Sequence, residues 1–316
     1  MNGVPSSQIQ IIEPFKAALE WMKTMLFRPF DFAKWLTIAF AAFIGGHWGN
    51  NFSFRYTRGL PGDLKYRFSR NGDLSGGFDI APWIIGLAIV AILFAIALGI
   101  LLAWITARGR FVFTDCIVKN RAAIAAPWHE FRREGNSYFL FSLAVGFCFL
   151  VLLAIMAVCG WLVFGGMFGG NDGAASVFFI VVVAFVVLFW VVLSILFGLV
   201  SHFMVPVMYR RRCSAREAFF DVVKLISAYP GPFLLFVLFN IALFIAVGIV
   251  GTTVACLTCC IGGLPYISTV ILLPAIVWLA TYKLLFIRQF GDAYDVWANV
   301  VAPVQTAEPL PPPPVM

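Results

Sequence analysis

Five apolar runs, each more than twenty residues long, constrain this chain more than any motif does. They cover residues 81–105, 138–164, 174–203, 232–257 and 265–285. About 20 predominantly apolar residues suffice to cross the ~30 Å hydrocarbon layer of a membrane. Lys283, near the end of the last run, is the one Asp, Glu, Lys or Arg residue that the runs contain. The sequence therefore predicts an all-α fold, a polytopic helical membrane bundle.

Composition favours a single membrane domain over residues 1–301. Hydrophobic residues make up 62% of the chain and the mean hydropathy is +0.94, whereas soluble domains contain about 45–50% apolar residues. The net charge of +7 does not indicate nucleic-acid binding, because the cations form short blocks beside the apolar runs instead of one basic stripe. Such blocks are typical of loops that face the cytoplasm and anionic lipid headgroups.

The distribution of Lys and Arg predicts the orientation. Of the 22 such residues, 17 lie in segments 1–34, 108–133, 210–224 and 283–288, and none lies in the connections 169–173 and 258–264. Because cytoplasmic loops carry an excess of Lys and Arg, we expect a multi-pass protein of the cytoplasmic membrane with both termini cytoplasmic. That orientation requires an even number of spans, so a sixth is predicted at 30–48. A re-entrant or surface helix is the alternative there.

An internal repeat is the second informative feature. A shift of 92 residues superposes Phe111 on Phe203, and a shift of 174 superposes Trp104 on Trp278. The predicted unit is one amphipathic surface helix followed by two spans, present three times. The third surface helix has the clearest pattern, with apolar residues at i, i+3, i+4 and i+7 between 215 and 226. Parallel repeats occur in transporters, and they also arise by duplication without transport.

The loop 47–80 is predicted to be external and to contain a small β-hairpin. Aromatic and polar residues alternate on both sides of a Gly/Pro turn, which is the period of a strand. Arg55, Lys65 and Arg67 would form its basic face. That face would be either a solvated cap on the bundle or a surface for an anionic ligand or partner. The Pro-rich tail, 302–316, is expected to be disordered.

Patterns that indicate catalysis or metal binding are absent from the sequence. Its three histidines are His47, His129 and His202. The predicted topology places the first outside and the other two on the cytoplasmic side, so no three-histidine metal site is expected. Motifs of zinc proteases, phosphate-binding loops and serine hydrolases do not occur. We therefore expect no enzyme activity and no cofactor.

A cysteine cluster ends the fifth apolar run. Cys256, Cys259 and Cys260 could hold a metal or a redox pair only with accessible thiolates and further ligands. The sequence offers no second ligand pair. Close packing of small residues at a helix end is therefore the favoured interpretation.

Asn240, Ser194 and Thr269 are the candidate polar residues of a membrane pathway. Polar groups inside a membrane often mark transport routes, although an interhelical hydrogen bond would also account for Asn240. The apolar runs contain no carboxylate. Transport coupled to ions or protons is therefore not expected.

The densest basic cluster lies between the fourth span and the third surface helix. It consists of Arg210, Arg211, Arg212 and Arg216. A Lys or Arg near an anionic leaflet contributes about 1 kcal/mol of attraction. These four side chains are therefore predicted to contact anionic headgroups.

Three segments resemble a known group of proteins. They are residues 104–113 with the linker that follows, 258–267 (TCCIGGLPYI) and 288–294 (RQFGDAY). They resemble uncharacterised multi-spanning membrane proteins of bacteria and archaea, which are distantly similar to the membrane domain fused to some glycerophosphodiester phosphodiesterases. The resemblance covers most of 10–296 and implies a multi-spanning fold. It implies no phosphodiesterase activity, because the catalytic barrel is absent.

These features predict a non-enzymatic integral membrane protein that organises lipids or partner proteins at the cytoplasmic membrane. The expected partners are membrane lipids with anionic headgroups, and proteins whose identity the sequence does not indicate. The alternative is a passive transporter or channel for lipid-like or hydrophobic small molecules. A groove lined by the intramembrane polar residues would favour transport, and a dry, closely packed bundle would favour organisation.

Overall fold

The computed structural model describes residues 9–47, 82–167, 173–257 and 265–300. Within these residues the secondary structure is entirely helical, with no strand. The α-helices are α1 (Ile12–Phe27), α2 (Phe32–Ile44), α3 (Pro82–Val118), α4 (Ala125–Glu130), α5 (Arg132–Met167), α6 (Gly173–Arg211), α7 (Ala215–Ala228), α8 (Pro230–Leu257), α9 (Pro265–Ile271) and α10 (Leu273–Arg288), followed by 3₁₀ helices at Asp292–Tyr294 and Val296–Asn299. The predicted all-α class is confirmed for this part of the chain. The predicted hairpin in 47–80 and the tail 302–316 lie outside it.

Four helices in the described ranges are long and apolar enough to cross a membrane. They contain the candidate spans Gly86–Val118, Arg132–Met156, Val181–Arg211 and Pro230–Thr253. With a rise of 1.5 Å per residue, the helix α3 extends over about 55 Å, which exceeds the hydrocarbon thickness. The protein is therefore a helical membrane protein, as predicted.

The other two predicted spans are shorter or interrupted, so six full-length spans are not confirmed. The helix α2 has 13 residues and is about 20 Å long, too short to cross the hydrocarbon layer. The Asp31 carboxylate caps its N-terminus, and the chain turns at Gly46 with a φ of 77°. The run 265–285 is divided between α9 and α10 at Leu272, where Pro274 lies in the first turn of α10.

The buried core lies at one end of the four long helices. In α3, the side chains of 86–103 are exposed, whereas those of 107–118 are buried except for half-buried Arg110. In α6, the same change occurs near Val200. We call the buried end the basic end, because the loops and helix termini there carry Lys119, Arg121, Arg211, Arg212 and Arg288.

Aromatic rings join α6, α8 and α10 at the basic end. The ring centroid of Phe203 lies 5.3 Å from that of Phe233, 5.1 Å from that of Phe236 and 6.0 Å from that of Phe286. All four side chains are less than 3% exposed. Edge-to-face and tilted arrangements of this kind add stabilisation beyond the area they bury. This cluster holds α6, α8 and α10 together at the basic end.

Three short helices pack around the basic end. The helix α1 contacts α10, α4 contacts α3, and α7 contacts α6. The Trp278 indole in α10 donates a hydrogen bond to the Phe15 carbonyl in α1 at 3.1 Å. A capping box between Ser214 and Glu217 begins α7 and satisfies backbone N–H groups of its first turn. These contacts position the ends of α3, α6 and α10 around a common interior space.

Candidate functional site

A cavity of about 330 Å³ lies within the basic end, among α3, α6, α10 and the C-terminal end of α2. Its basic lining side chains are His47, Arg110, His202 and Lys283. The remaining lining is small, apolar or hydroxyl-bearing, and consists of Gly45, Gly46, Phe113, Thr114, Ile117, Gly198, Ser201, Val205, Ala280 and Leu284. No carboxylate is present in this lining. The site therefore combines four basic groups with no acidic group among its described walls.

His47 reaches the cavity because α2 and α3 approach each other closely. A Cβ atom on Gly109 would lie 2.6 Å from the Ile44 carbonyl carbon and 2.7 Å from the Gly45 nitrogen. Only glycine at position 109 permits this backbone contact without a shift. The His47 ring then packs on Phe113 with centroids 4.7 Å apart. Its Nδ1 atom is buried and has no hydrogen-bond partner among the residues that the structure describes.

Arg110 and Lys283 are the cationic side chains of the lining. Arg110 donates a hydrogen bond to the Tyr138 hydroxyl at 2.5 Å, and its guanidinium carbon lies 5.5 Å from the centre of that ring. Lys283 is 9% exposed and lines the cavity from α10. Neither side chain forms an ion pair with a carboxylate of the described residues. Within the described part of the chain, these two side chains are therefore left without a compensating charge.

Asp115, the nearest acidic residue along α3, is occupied by other partners. Its buried carboxylate accepts hydrogen bonds from the Tyr209 hydroxyl at 2.9 Å and from Arg121 at 2.8 Å, and Lys119 lies 2.7 Å away. The hydrogen bond with Asp115 raises the pKa of the Arg121 guanidinium above its ordinary value. Asp115 thus stabilises the turn after α3 and does not neutralise the cavity.

An apolar groove of about 360 Å³ adjoins the cavity between α6, α8 and α10. Gly198 and His202 line both spaces. Ile241 and Phe244 form part of the groove wall and are 51% and 57% exposed, so the groove is open along its side. Asn240 also lies on this wall. The basic cavity and the laterally open apolar groove therefore share part of one wall.

The structure separates the three polar residues predicted for a pathway. Asn240 lines the groove, and its amide donates to the Phe236 carbonyl at 3.0 Å. This hydrogen bond lies within α8, whereas an interhelical bond was expected. Ser194 is exposed on α6, and Thr269 is fully buried in α9. These two residues line neither the cavity nor the groove.

The predicted headgroup-contacting arginines mostly interact with the protein itself. The contacts are those of Arg210 with the Asp292 carbonyl oxygen (3.3 Å), Arg211 with the Asp221 carboxylate and Arg212 with the Glu130 carboxylate. Arg216 is exposed in α7 and forms no ion pair within the described residues. Headgroup contact by the four stays a prediction. The predicted hairpin residues Arg55, Lys65 and Arg67 lie outside the described ranges, as do Cys259 and Cys260.

The expected separation of the histidines is wrong. His47 was predicted to be external and His202 cytoplasmic, but both line one cavity. The physical reason is that α2 is short and that its C-terminal end packs against Gly109. This contact places His47, which follows α2, at the basic end. Arg110 and Lys283 were interpreted from sequence as orientation signals alone. The glycines at 45, 46 and 109 were the available sign of a close helix contact.

A family of unknown function, DUF7544, matches residues 9–307. The chain belongs to the DUF7544 family. No curated protein and no solved structure matches it. The predicted membership of an uncharacterised family is therefore confirmed. The predicted similarity of this DUF7544 protein to the membrane domain of glycerophosphodiester phosphodiesterases gains no support from the comparisons.

Proposed function

We propose that this DUF7544 protein is a non-enzymatic integral membrane protein that binds and organises lipids. The groove between α6, α8 and α10 is the observation that carries the proposal. Its volume of about 360 Å³ falls within the ~300–1,000 Å³ range of small-molecule sites. Its wall is apolar, and it opens sideways from two candidate spans, where an acyl chain of the bilayer could enter directly.

The orientation that suits this function places the basic end in the cytoplasm. The positive-inside rule supports that orientation, and anionic lipid is attracted to juxtamembrane basic segments. Arg216 is the exposed member of the basic cluster and could attract headgroups at the surface. Partner proteins could bind the same belt.

The threefold repeat and six membrane segments are parts of this proposal. Contacts of α1 with α10, α4 with α3 and α7 with α6 support the repeat. In each case a surface helix rests on the second span of another repeat unit. The short helix α2 and the interrupted pair α9–α10 would complete the six segments. The similarity to the phosphodiesterase membrane domain is likewise a hypothesis.

A groove-filling variant tests lipid binding. Ile241→Trp should occupy the groove, and Ile92→Trp adds the same volume on the exposed face of α3, where Ile92 is 58% exposed. Protein purified in mild detergent would be analysed for bound lipid by native mass spectrometry. We expect severalfold less lipid on Ile241→Trp and wild-type amounts on Ile92→Trp. Equal lipid on both variants would contradict the proposal.

Passive lipid transport is the second candidate function. The shared wall of groove and cavity at Gly198 and His202 favours it, because a transported lipid needs adjacent places for its chain and its headgroup. Reconstitution into vesicles with a fluorescent lipid separates the two functions. Transport predicts protein-dependent movement of the label between leaflets that Ile241→Trp slows. Lipid organisation predicts binding without such movement.

A further inference from the structure

We propose that the basic cavity binds the phosphate-bearing headgroup of a lipid whose acyl chain occupies the adjoining groove. This inference rests on the proposed lipid-binding function and adds the chemistry of the ligand. It assigns the four basic residues His47, Arg110, His202 and Lys283 to one anion-binding site.

The first argument is charge balance. Arg110 and Lys283 line a cavity without a carboxylate among its described walls, and neither forms an ion pair in the described residues. Arg110 donates a hydrogen bond to the Tyr138 hydroxyl, which is not a carboxylate. Charges withdrawn from water are costly unless an opposite charge and hydrogen bonds compensate them. A bound anion would provide both.

The second argument is the kind of donor. A guanidinium can bind two phosphate oxygens at once, and an ammonium binds phosphate as a point charge. His47 adds a buried Nδ1 atom that has no partner among the described residues and that donates when it carries the ring proton. Thr114 and Ser201 add hydroxyl groups to the lining. These groups lie on α3, α6, α10 and the segment that follows α2. Donors on four sides can surround a tetrahedral phosphate better than a planar carboxylate.

The third argument is depth. The apolar stretch 86–105 of α3 contains twenty residues without a charge, which is about the length that crosses the hydrocarbon layer. Arg110 follows this stretch after five residues, or about 7 Å of helix. The cavity therefore lies where phospholipid headgroups lie. A phosphate attached to an acyl chain in the groove would be at the depth of Arg110.

The fourth argument is the wall that the two spaces share. Gly198 lines both the cavity and the groove, and a Cβ atom added there would meet nothing within 4 Å. A larger side chain at this position would therefore project into open space beside both of them. Position 198 offers a way to disturb the junction of headgroup and chain while the charges of the cavity remain.

Binding by the full-length, delipidated protein tests the inference. The probes are dioctanoyl phosphatidic acid, dioctanoylglycerol, which lacks the phosphate, and inorganic phosphate. Arg110→Gln and Lys283→Met should each weaken binding of phosphatidic acid at least tenfold. The control Arg133→Gln removes one exposed charge from the same end and should change it less than twofold. Because Lys283→Met removes an unpaired charge at similar volume, that variant should fold at least as stably as wild type.

Gly198→Leu distinguishes a lipid headgroup from a free anion. We expect it to weaken phosphatidic acid binding severalfold more than phosphate binding, while Gly99→Leu, at another helical glycine with nothing within 4 Å, changes neither. Phosphate binding as tight as that of phosphatidic acid, unaffected by Gly198→Leu, would overturn the lipid assignment. Equal affinity for dioctanoylglycerol and phosphatidic acid would overturn the headgroup site and leave the proposed lipid binding standing. Absence of binding by both lipids would refute the proposed function itself.

Discussion

The two parts of α3 belong to one continuous helix, but their surroundings differ completely. Residues 86–103 are apolar and exposed, whereas residues 107–118 include Arg108, Arg110, Thr114 and Asp115 and are mostly buried. This arrangement reverses the rule for soluble proteins. Lipid tails are as apolar as Leu, so burial of apolar side chains provides little force between helices in a membrane. Specific packing is therefore concentrated where polar, aromatic and small residues meet at the basic end.

The same contrast separates two kinds of functional surface. The exposed apolar part of the helices provides contact with lipid but little chemical selectivity. The basic end provides a shaped cavity with four basic groups, and the apolar groove shares two lining residues with this cavity. Matched substitutions, one at the basic end and one on the exposed apolar part of the helices, therefore test whether the difference in packing determines the free energy of unfolding as well as lipid binding.

The largest effect is expected from truncating a buried ring. Phe111→Ala removes a fully buried side chain that stacks on Phe131 with centroids 5.9 Å apart, and the free energy of unfolding should fall by about 3–5 kcal/mol. Phe94 lies on the same helix and is 68% exposed. Phe94→Ala should cost less than about 0.5 kcal/mol. Reversible unfolding in mixed lipid–detergent micelles measures both free energies. Similar losses for the two variants would contradict the distinction between the buried and exposed parts of α3.

The next largest effect concerns the buried carboxylate. Asp115→Asn weakens the interactions with Arg121, Lys119 and Tyr209. Breaking a buried ion pair costs about 3–5 kcal/mol, and partly exposed partners reduce this to about 2–3 kcal/mol because water can solvate them. Asp221→Asn, which breaks the surface pair with Arg211, should cost less than about 1 kcal/mol. The same unfolding measurement compares the pair, and an equal cost would show that burial does not distinguish them.

A pair of glycine substitutions tests the contact between α2 and α3. Gly109→Ala places a Cβ atom 2.6 Å from the backbone of Ile44, and overpacking of this kind costs about 1–3 kcal/mol. Gly99→Ala adds the same atom in open space and should stabilise the helix by up to about 1 kcal/mol. Thermal unfolding of the detergent-solubilised protein measures the two shifts. If the unfolding temperatures of both variants shifted in the same direction, the close contact between α2 and α3 would not be required for stability.

The smallest effect is expected at Asn240. Its amide donates to a carbonyl of its own helix, so Asn240→Leu should cost less than the average of about 0.6 kcal/mol for interhelical polar contacts in a membrane. The groove wall would become more apolar, and the amount of copurifying lipid should stay within twofold of the wild type. A well-folded variant that loses lipid would instead assign Asn240 a direct role in binding.

Most of the helical framework could be predicted from the runs of apolar residues. The runs at 81–105, 138–164, 174–203 and 232–257 correspond to α3, α5, α6 and α8. Two predicted spans were exceptions: the run at 265–285 is divided into α9 and α10, and the run at 30–48 is shorter than a span. The apolar residues of 30–48 suit a span, but an Asp31 cap and a glycine turn restrict that helix to 13 residues. Local capping and turn geometry decided its length.

The candidate site was less predictable, because its residues come from distant positions. Asn240 was selected for its polarity and does line the groove, whereas Ser194 and Thr269 share that polarity and do not. Arg110 and Lys283 have the composition of ordinary interface cations. Their convergence depends on the α2–α3 contact at Gly109 and on the direction of α10, which no local pattern encodes.

By itself, the sequence determined the class of the protein: long uncharged runs must lie in lipid, because water cannot solvate them and their helices satisfy every backbone hydrogen bond internally. Only the tertiary structure decided which polar side chains meet. Backbone approach at Gly109 brought His47 to the cavity that His202 lines, and the aromatic cluster of α6, α8 and α10 holds the helix that carries Lys283 to the same cavity as Arg110. Such juxtapositions depend on close packing between segments far apart in the chain, and periodicity within a segment carries no information about its neighbours.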